Sequence, residues 1–304
     1  MSLSICAPNI DVSDHYTCFQ KKELLSIIKT YNKYINKHSL CNKIACIPKF
    51  EKNVQNNKIK IKDGMSKKEL WYSIYNVLKP LCNYESCWID LKFINNIPDK
   101  KLKQKIKYFT FKPKFYNGNI DRDYWLNTID IDKVMKQYEK KYFDFYYLGT
   151  MPSDFYKYIP VNFKKILSSP LVGIIFNLDT FYDTGSHWTS LYIDNKKYEM
   201  FYFDSFGKEP NKYIYKFISL YNKNFNNKNI KLNGKNSNIT MNDNNPYKFK
   251  LYINTKQHQT GNSECGVYSI YFLINKLKNT FSNNKQISDQ NMKDFRKCIY
   301  DLSI

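Results

Sequence analysis

The segment GSHWTSLYIDNKKYEMFYFDSFG, Gly185 to Gly207, holds two strand patterns separated by a polar turn. Trp188 to Ile193 alternates, and Tyr198 to Phe203 is rich in aromatics, as strands of a packed sheet require. His187 stands just before the first strand and Asp204 just after the second. If the two strands are antiparallel neighbours, the beginning of one lies beside the end of the other. Asp204 can then accept the second ring N–H of His187 and fix its tautomer. A strand edge that follows a turn, here Asp183 to Ser186, both positions a base and leaves it reachable.

Leu171 to Phe176, upstream, is a short continuous apolar run and predicts a third central strand. Downstream, Tyr247, Phe249, Leu251 and Ile253 alternate and return the chain to the sheet. Helices flank these strands. Asn127 or Thr128 can cap one that carries Asp130 and Asp132 in its first turn and Ile131, Val134, Met135, Tyr138 and Tyr142 along one stripe. A buried helix is predicted from about Glu264 to Leu277, and a last one starts at Ser288 and packs through Met292, Phe295, Ile299 and Leu302. Between sheet and helix, 15 of the 24 residues from Asn222 to Asn245 are Asn or Lys, a density that predicts a surface insertion without chemistry. Residues 121–304 therefore read as an α+β domain with a central mixed β-sheet flanked by helices.

Residues 1–97 read as a separate helical domain. Leu24, Leu25, Ile27, Ile28, Tyr31, Tyr34 and Ile35 recur at helical spacing, and Ser66 with Glu69 forms a capping box ahead of Leu70, Ile74, Val77, Leu78 and Leu81. Pro80 ends or kinks that second helix. Residues 98–120 are basic and turn-rich and predict a linker.

Over its 304 residues the chain is 42% hydrophobic and 17% aromatic, enough buried area to offset ordering entropy, so disorder is excluded. No apolar run approaches the roughly 18 residues a membrane span needs, and the first residues lack a basic-then-apolar leader, so no membrane contact is expected. The formal charge of +21 favours polyanionic surroundings. Its densest stretch, Lys100 to Lys114 with interleaved aromatics, is read as a solvated face that allows weak, non-specific nucleic-acid contact. Among the eight cysteines, the pairs Cys41/Cys46 and Cys82/Cys87 could be argued as a zinc site, but each sits in apolar surroundings. Small buried thiols in a reducing compartment are expected, with no metal and no cofactor.

Cys265 completes a reactive set. It follows the polar, turn-forming stretch Gln257 to Glu264 and opens an apolar helix, whose dipole favours a thiolate. Gly266 lets the backbone approach a substrate carbonyl, and Gln259 can donate its amide to an oxyanion beside the Cys265 N–H. His258 reads as an exposed loop residue. Each member alone has a plainer reading: a packed histidine, a turn aspartate, an inert helix cysteine.

The order of Gly185-Ser-His187-Trp188, Phe203-Asp204-Ser205, Gln259 and Cys265-Gly266 resembles the His–Asp–Cys order of adenain/Ulp-type cysteine peptidases (clan CE), and Trp125-Leu126-Asn127 resembles their Trp-Leu-Asn segment. Glu85-Ser-Cys87, Ile129 to Lys133, Asn177 to Thr180, and His258-Gln259 ahead of Glu264 to Ser269 are similar, more narrowly, to the polyprotein-processing proteases of nucleocytoplasmic large DNA viruses, of the African swine fever virus type. The resemblance implies a viral thiol endopeptidase cleaving after Gly-Gly in structural polyproteins during virion maturation, in virion and host cytoplasm. It implies His187 as base, Asp204 as orienter, Cys265 as nucleophile and Gln259 as oxyanion donor. Two positions depart from that type, which has Asn in place of Asp204 and a second Gln in place of Asn262; Asn262 is the second choice for the oxyanion. Trp125, Asn127, Trp188 and Gly266 are expected at the substrate, the two indoles forming a slot that admits only glycine backbone. A monomer is expected. The same machinery would serve an isopeptidase acting on ubiquitin-like modifiers or an acetyltransferase, and an inactive protease fold would leave a basic nucleic-acid-binding virion protein.

Overall fold

A computed structural model describes residues 5–10, 16–39, 58–115, 123–232, 249–282 and 285–302. Cys41, Cys46, Tyr247 and the later part of the Asn/Lys-rich stretch lie outside the described residues. The chain divides into two compact units, residues 1–113 and 114–304.

The first unit is helical. Helix α1 (Lys21–Ser39) and helix α2 (Lys67–Leu78) bury Leu24, Ile27, Ile28, Leu70, Ile74 and Leu78 in one core with Phe19 and Trp88, whose rings stack at 6.1 Å. The Ser66/Glu69 capping box forms: the Glu69 N–H donates to Ser66 Oγ (3.2 Å) and the Ser66 N–H to Glu69 Oε2 (2.7 Å). The helix stops at Leu78, two residues before Pro80, whose missing N–H and ring clash end it. A short helix, α3 (Glu85–Trp88), places the buried Glu85 carboxylate under Thr17, the Cys18 N–H and the Trp71 indole N–H.

Two sequence expectations are corrected here. Cys6 pairs with Cys18 and Cys82 with Cys87 as disulfides, instead of standing as isolated buried thiols. The chain also does not pass from 98 to 120 as a linker. Asp99 caps helix α4 (Lys100–Tyr108), which buries Ile106 in the same core and turns Lys105 onto Glu23. Charge dominates that stretch locally, but one apolar side chain per turn was enough to dock it.

The second unit is built on a five-stranded mixed sheet in the order β1-β2-β3-β4-β5: β1 (Phe145–Pro152), β2 (Leu171–Asn177), β3 (Trp188–Asp194), β4 (Glu199–Phe203) and β5 (Lys250–Ile253). The central pairings β2–β3 and β3–β4 are antiparallel, the outer two parallel. Helix α5 (Thr128–Lys141) and helix α8 (Cys265–Leu277) cover one face, where Ile131, Val134, Met135, Val267, Ile270 and Leu273 meet Phe145, Ile175 and Phe203. Helix α6 (Phe163–Ser168) and helix α7 (Lys212–Leu232) cover the other, around Ile174, Leu191, Tyr202, Phe217 and Tyr221. Helix α9 (Asp289–Ile299) packs on α8 through Met292 and Ile299. The α+β architecture read from the sequence is the observed one.

Two elements were not foreseen. Strand β1 adds to the sheet beyond β2, with Gly149 at φ +133° and a register irregularity breaking its alternation. The Asn/Lys-rich stretch begins as helix, because α7 runs on to Leu232 and buries Phe225. No described helix is long and apolar enough to cross a membrane.

Candidate active site

The β3–β4 register pairs Ser190 with Phe203, so the start of β3 and the end of β4 lie side by side, and His187 Nε2 is 2.8 Å from Asp204 Oδ1. The carboxylate is fully buried and its Oδ1 also accepts the Phe206 N–H (2.8 Å), which fixes its orientation. The turn after it closes through the Gly207 N–H to the Asp204 carbonyl (2.9 Å). Gly207 has φ +70°, and a Cβ there would stand 2.7 Å from the Thr255 carbonyl, so only glycine fits that turn against the next segment. The Phe206 ring packs on the imidazole at 4.9 Å.

Cys265 is the first residue of α8, 5% exposed, and its side chain lies near enough to the imidazole to count, after Asp204, among the causes that raise the ring's pKa. Since Asp204 holds Nε2, the nitrogen left for the thiol is Nδ1. Burial works to lower the His187 pKa, but hydrogen bonds and charge from Asp204 and then from Cys265 outweigh it, and the ring is raised from 6.5 to about 9. The imidazole therefore keeps its proton at neutral pH, with the Asp204 carboxylate as acceptor.

The segment between Asn254 and Glu264 is folded onto the Asp204 turn. The Ser205 carbonyl accepts the His258 and Gln259 N–H groups (2.8 and 3.0 Å), and Ser205 Oγ donates to Gln259 Oε1 (2.7 Å). That bond assigns the buried Gln259 amide: its nitrogen points away from Ser205 and donates to the Gly261 carbonyl (2.8 Å) with one of its two protons. Asn262 is exposed.

One expectation changes, and two residues gain roles in the fold. His258 is buried instead of exposed, stacked on Phe203 at 5.5 Å with Nδ1 accepting the Ile287 N–H (3.2 Å); burial lowers its pKa and keeps it neutral. Asn127 caps α5: its Oδ1 accepts the Asp130 N–H (3.0 Å) and its Nδ2 donates to the Tyr124 hydroxyl (3.0 Å), so its amide serves the fold. Gly266 is buried, and a Cβ there would lie 3.2 Å from Leu126 and 3.3 Å from Trp188, so its missing side chain lets those two close over the start of α8. Trp188 is thereby held at the site, its indole N–H donating to the Leu126 carbonyl (2.9 Å), while the neighbouring Trp125 is 54% exposed.

The sequence reading missed Arg296. It is buried on α9 and pairs with Glu264, the residue before Cys265 (Nη2 to Oε2, 2.9 Å). Burial pushes the Glu264 carboxyl up and Arg296 pulls against it. A signal was present: Arg296 falls on the Met292/Ile299 stripe of its helix, and the chain has only two arginines among 48 basic residues.

Residues 124–303 match the Ulp1 protease family, C-terminal catalytic domain, and the chain belongs to that family. It is a cysteine peptidase, and its substrates are proteins. The chain is 28% identical over 308 residues to a protein of Acanthamoeba polyphaga mimivirus provisionally named a thiol protease, covering 97% of this chain and 92% of that one. Its fold is similar to that of a protease of African swine fever virus seen by crystallography, with a TM-score of 0.61 and 19% identity over 99% of this chain and 97% of the other.

Proposed function

We propose that the chain is a viral endopeptidase that cleaves after Gly-Gly in structural polyproteins, in virion and host cytoplasm, with Cys265 as nucleophile, His187 as acid and base, and Asp204 as orienter. The observation that carries this is the His187 imidazole bound at 2.8 Å to the buried Asp204 carboxylate, with a pKa raised by Asp204 and then by Cys265 at the start of α8. Cys265 Sγ, its proton resting on His187 Nδ1, attacks the scissile carbonyl and forms the C–S bond. The oxyanion is received by the Cys265 N–H and by the second Nε2 proton of Gln259; the exposed Asn262 is the less supported donor. As the C–N bond breaks, His187 gives its proton to the leaving amine. Water then attacks the thioester and yields a proton to His187, the C–S bond breaks, and the thiolate beside the protonated ring is restored.

Selection of glycine is supported by the narrow access to the sulfur, with Trp188 and Leu126 closed over Gly266 and Trp125 exposed beside them. A side chain before the cut would have to displace an indole. The viral part of the reading is supported by the mimivirus relative, and the polyprotein substrate rests on the sequence resemblance.

Wild type and Cys265→Ala are incubated under reducing conditions with a Gly-Gly-Xaa peptide, a fragment of a viral structural polyprotein and a ubiquitin-like conjugate. The proposal expects the wild type to cut the first two and the variant to cut neither. Preference for the conjugate would move the assignment to an isopeptidase; cleavage by both proteins, or by neither, overturns it.

A further inference from the structure

Helix α9 and the residues just before it grip the segment that leads to Cys265 along its whole length. The Gln286 amide donates to the Gln257 carbonyl (2.9 Å), and the Ile287 N–H to His258 Nδ1 (3.2 Å). Asp289 Oδ2 accepts the N–H groups of Thr260 (3.1 Å) and Gly261 (2.8 Å) and the Thr260 hydroxyl (2.6 Å), while its Oδ1 accepts the Tyr268 hydroxyl (3.0 Å). Two helical turns on, at i+7 and so on the same face, Arg296 completes the grip. Its Nε and Nη2 donate to Glu264 Oε2 (3.3 and 2.9 Å), Nη2 reaches the Ser263 carbonyl (3.4 Å), and Nη1 donates to the Tyr124 carbonyl (2.7 Å).

A guanidinium that is 1% exposed therefore joins the two residues before the nucleophile to the residue before Trp125. Leu126, two residues on, covers Gly266 and holds the Trp188 indole N–H. The fork geometry matters: an ammonium can neutralise Glu264, but it cannot span three acceptors set in different directions. Glu264 stands at the N-cap position of α8 without capping it; its Oε2 is turned to Arg296 and its Oε1 accepts the Ser263 hydroxyl (3.5 Å).

We infer that Arg296 is a positioning residue for catalysis: through Glu264 and Ser263 it sets the first turn of α8 so that Cys265 meets His187, and through Tyr124 it aligns the Trp125–Leu126 wall with the same sulfur. This inference rests on Cys265 being the nucleophile. A misplacement of about 1 Å at a reacting atom costs on the order of a hundredfold in rate, so the reach of this grip exceeds that of an ordinary buried ion pair.

The test compares Arg296→Lys and Glu264→Gln with wild type in the full chain. Circular dichroism and thermal unfolding report the fold, steady-state cleavage of a Gly-Gly-Xaa peptide separates kcat from KM, and alkylation by iodoacetamide at pH 7 follows Cys265 by mass spectrometry. Arg296→Lys is expected to stay folded, to lose about tenfold to a hundredfold in kcat with a smaller change in KM, and to alkylate Cys265 at an altered rate. Glu264→Gln, which preserves an acceptor for the fork, is expected to retain more activity than Arg296→Lys when rates are normalised to folded protein. The inference is overturned if folded Arg296→Lys keeps wild-type kcat and alkylation rate, or, should that variant not fold, if folded Glu264→Gln matches wild type in both. An active Cys265→Ala would instead remove the reading beneath it, so the two failures are distinct.

Discussion

Helices α5 and α8 of the second unit begin in opposite ways. At α5, Asn127 and Asp130 form a reciprocal capping box, the local solution that α2 and α9 also use. At α8, an acid stands at the same position, yet its carboxylate turns away to Arg296 and no side chain caps the helix. A capped start stabilises by consuming the first N–H groups of the helix, whereas an uncapped one keeps them, and the positive end of the dipole, for whatever arrives beside Cys265. The contrast separates a helix end that serves the fold from one that the fold holds ready for chemistry. What is given up locally at α8 is made up at a distance, by the α9 grip and by burial of nearly the whole helix.

The contrast can be broken most forcefully at His187. His187→Ala removes the group that moves the proton, and kcat/KM on a Gly-Gly-Xaa peptide is expected to fall by about 10² to 10⁴. A variant that still cleaves at the wild-type rate would make α8 merely one more buried helix. Next in size is Glu264→Gln, which leaves the Arg296 charge buried without its counter-charge. Denaturant unfolding is expected to show a loss of about 3 kcal/mol, against almost none if the pair were a solvated contact.

The pH response sharpens the comparison further. Because the folded His187 value of about 9 lies above the ordinary 6.5, the stability that the charged ring contributes is complete below about pH 6.5 and is lost as pH rises through about 9. Activity that needs the imidazolium follows the same alkaline limb. Asp204→Asn removes one of the two partners that raise the ring, so the limb is expected to move to lower pH in a kcat/KM profile; an unmoved limb would assign it to another group. The smallest effect belongs to α5. Asn127→Ala loses a cap worth about 1 kcal/mol and is expected to lower stability while the folded protein retains its kcat/KM. Loss of activity at unchanged stability would return Asn127 to the substrate.

How much of this was legible in the sequence depended on whether the governing contacts were local. The capping box at Ser66, the helix start at Ser288 and the apolar stripes of α1 and α5 rest on residues close in sequence and were readable directly. The His187–Asp204 pair was readable because antiparallel strands joined by a short turn constrain one another's ends. Strand β1 escaped because its aromatic run is interrupted by Gly149 and its only described partner lies about two dozen residues on, across a parallel pairing that no hairpin turn announces. Helix α4 escaped because the seven lysines from Lys100 to Lys114 mask its single buried residue, Ile106. His258 and Arg296 look polar in sequence and are buried by partners about thirty residues away, His258 under Ile287 and Arg296 against Glu264. Gly266 was noticed for a substrate; that Leu126 and Trp188 close on the space its missing side chain leaves is a long-range contact that the sequence does not announce.

The account stands on one imidazole placed between a carboxylate from the end of β4 and a thiol at the start of α8. Titrating the His187 ring by NMR in wild type, Asp204→Asn and Cys265→Ala tests that placement most directly. The account predicts a wild-type midpoint near 9 that falls in each variant as one partner is withdrawn. A ring that titrates near 6.5, identically in all three proteins, would contradict it.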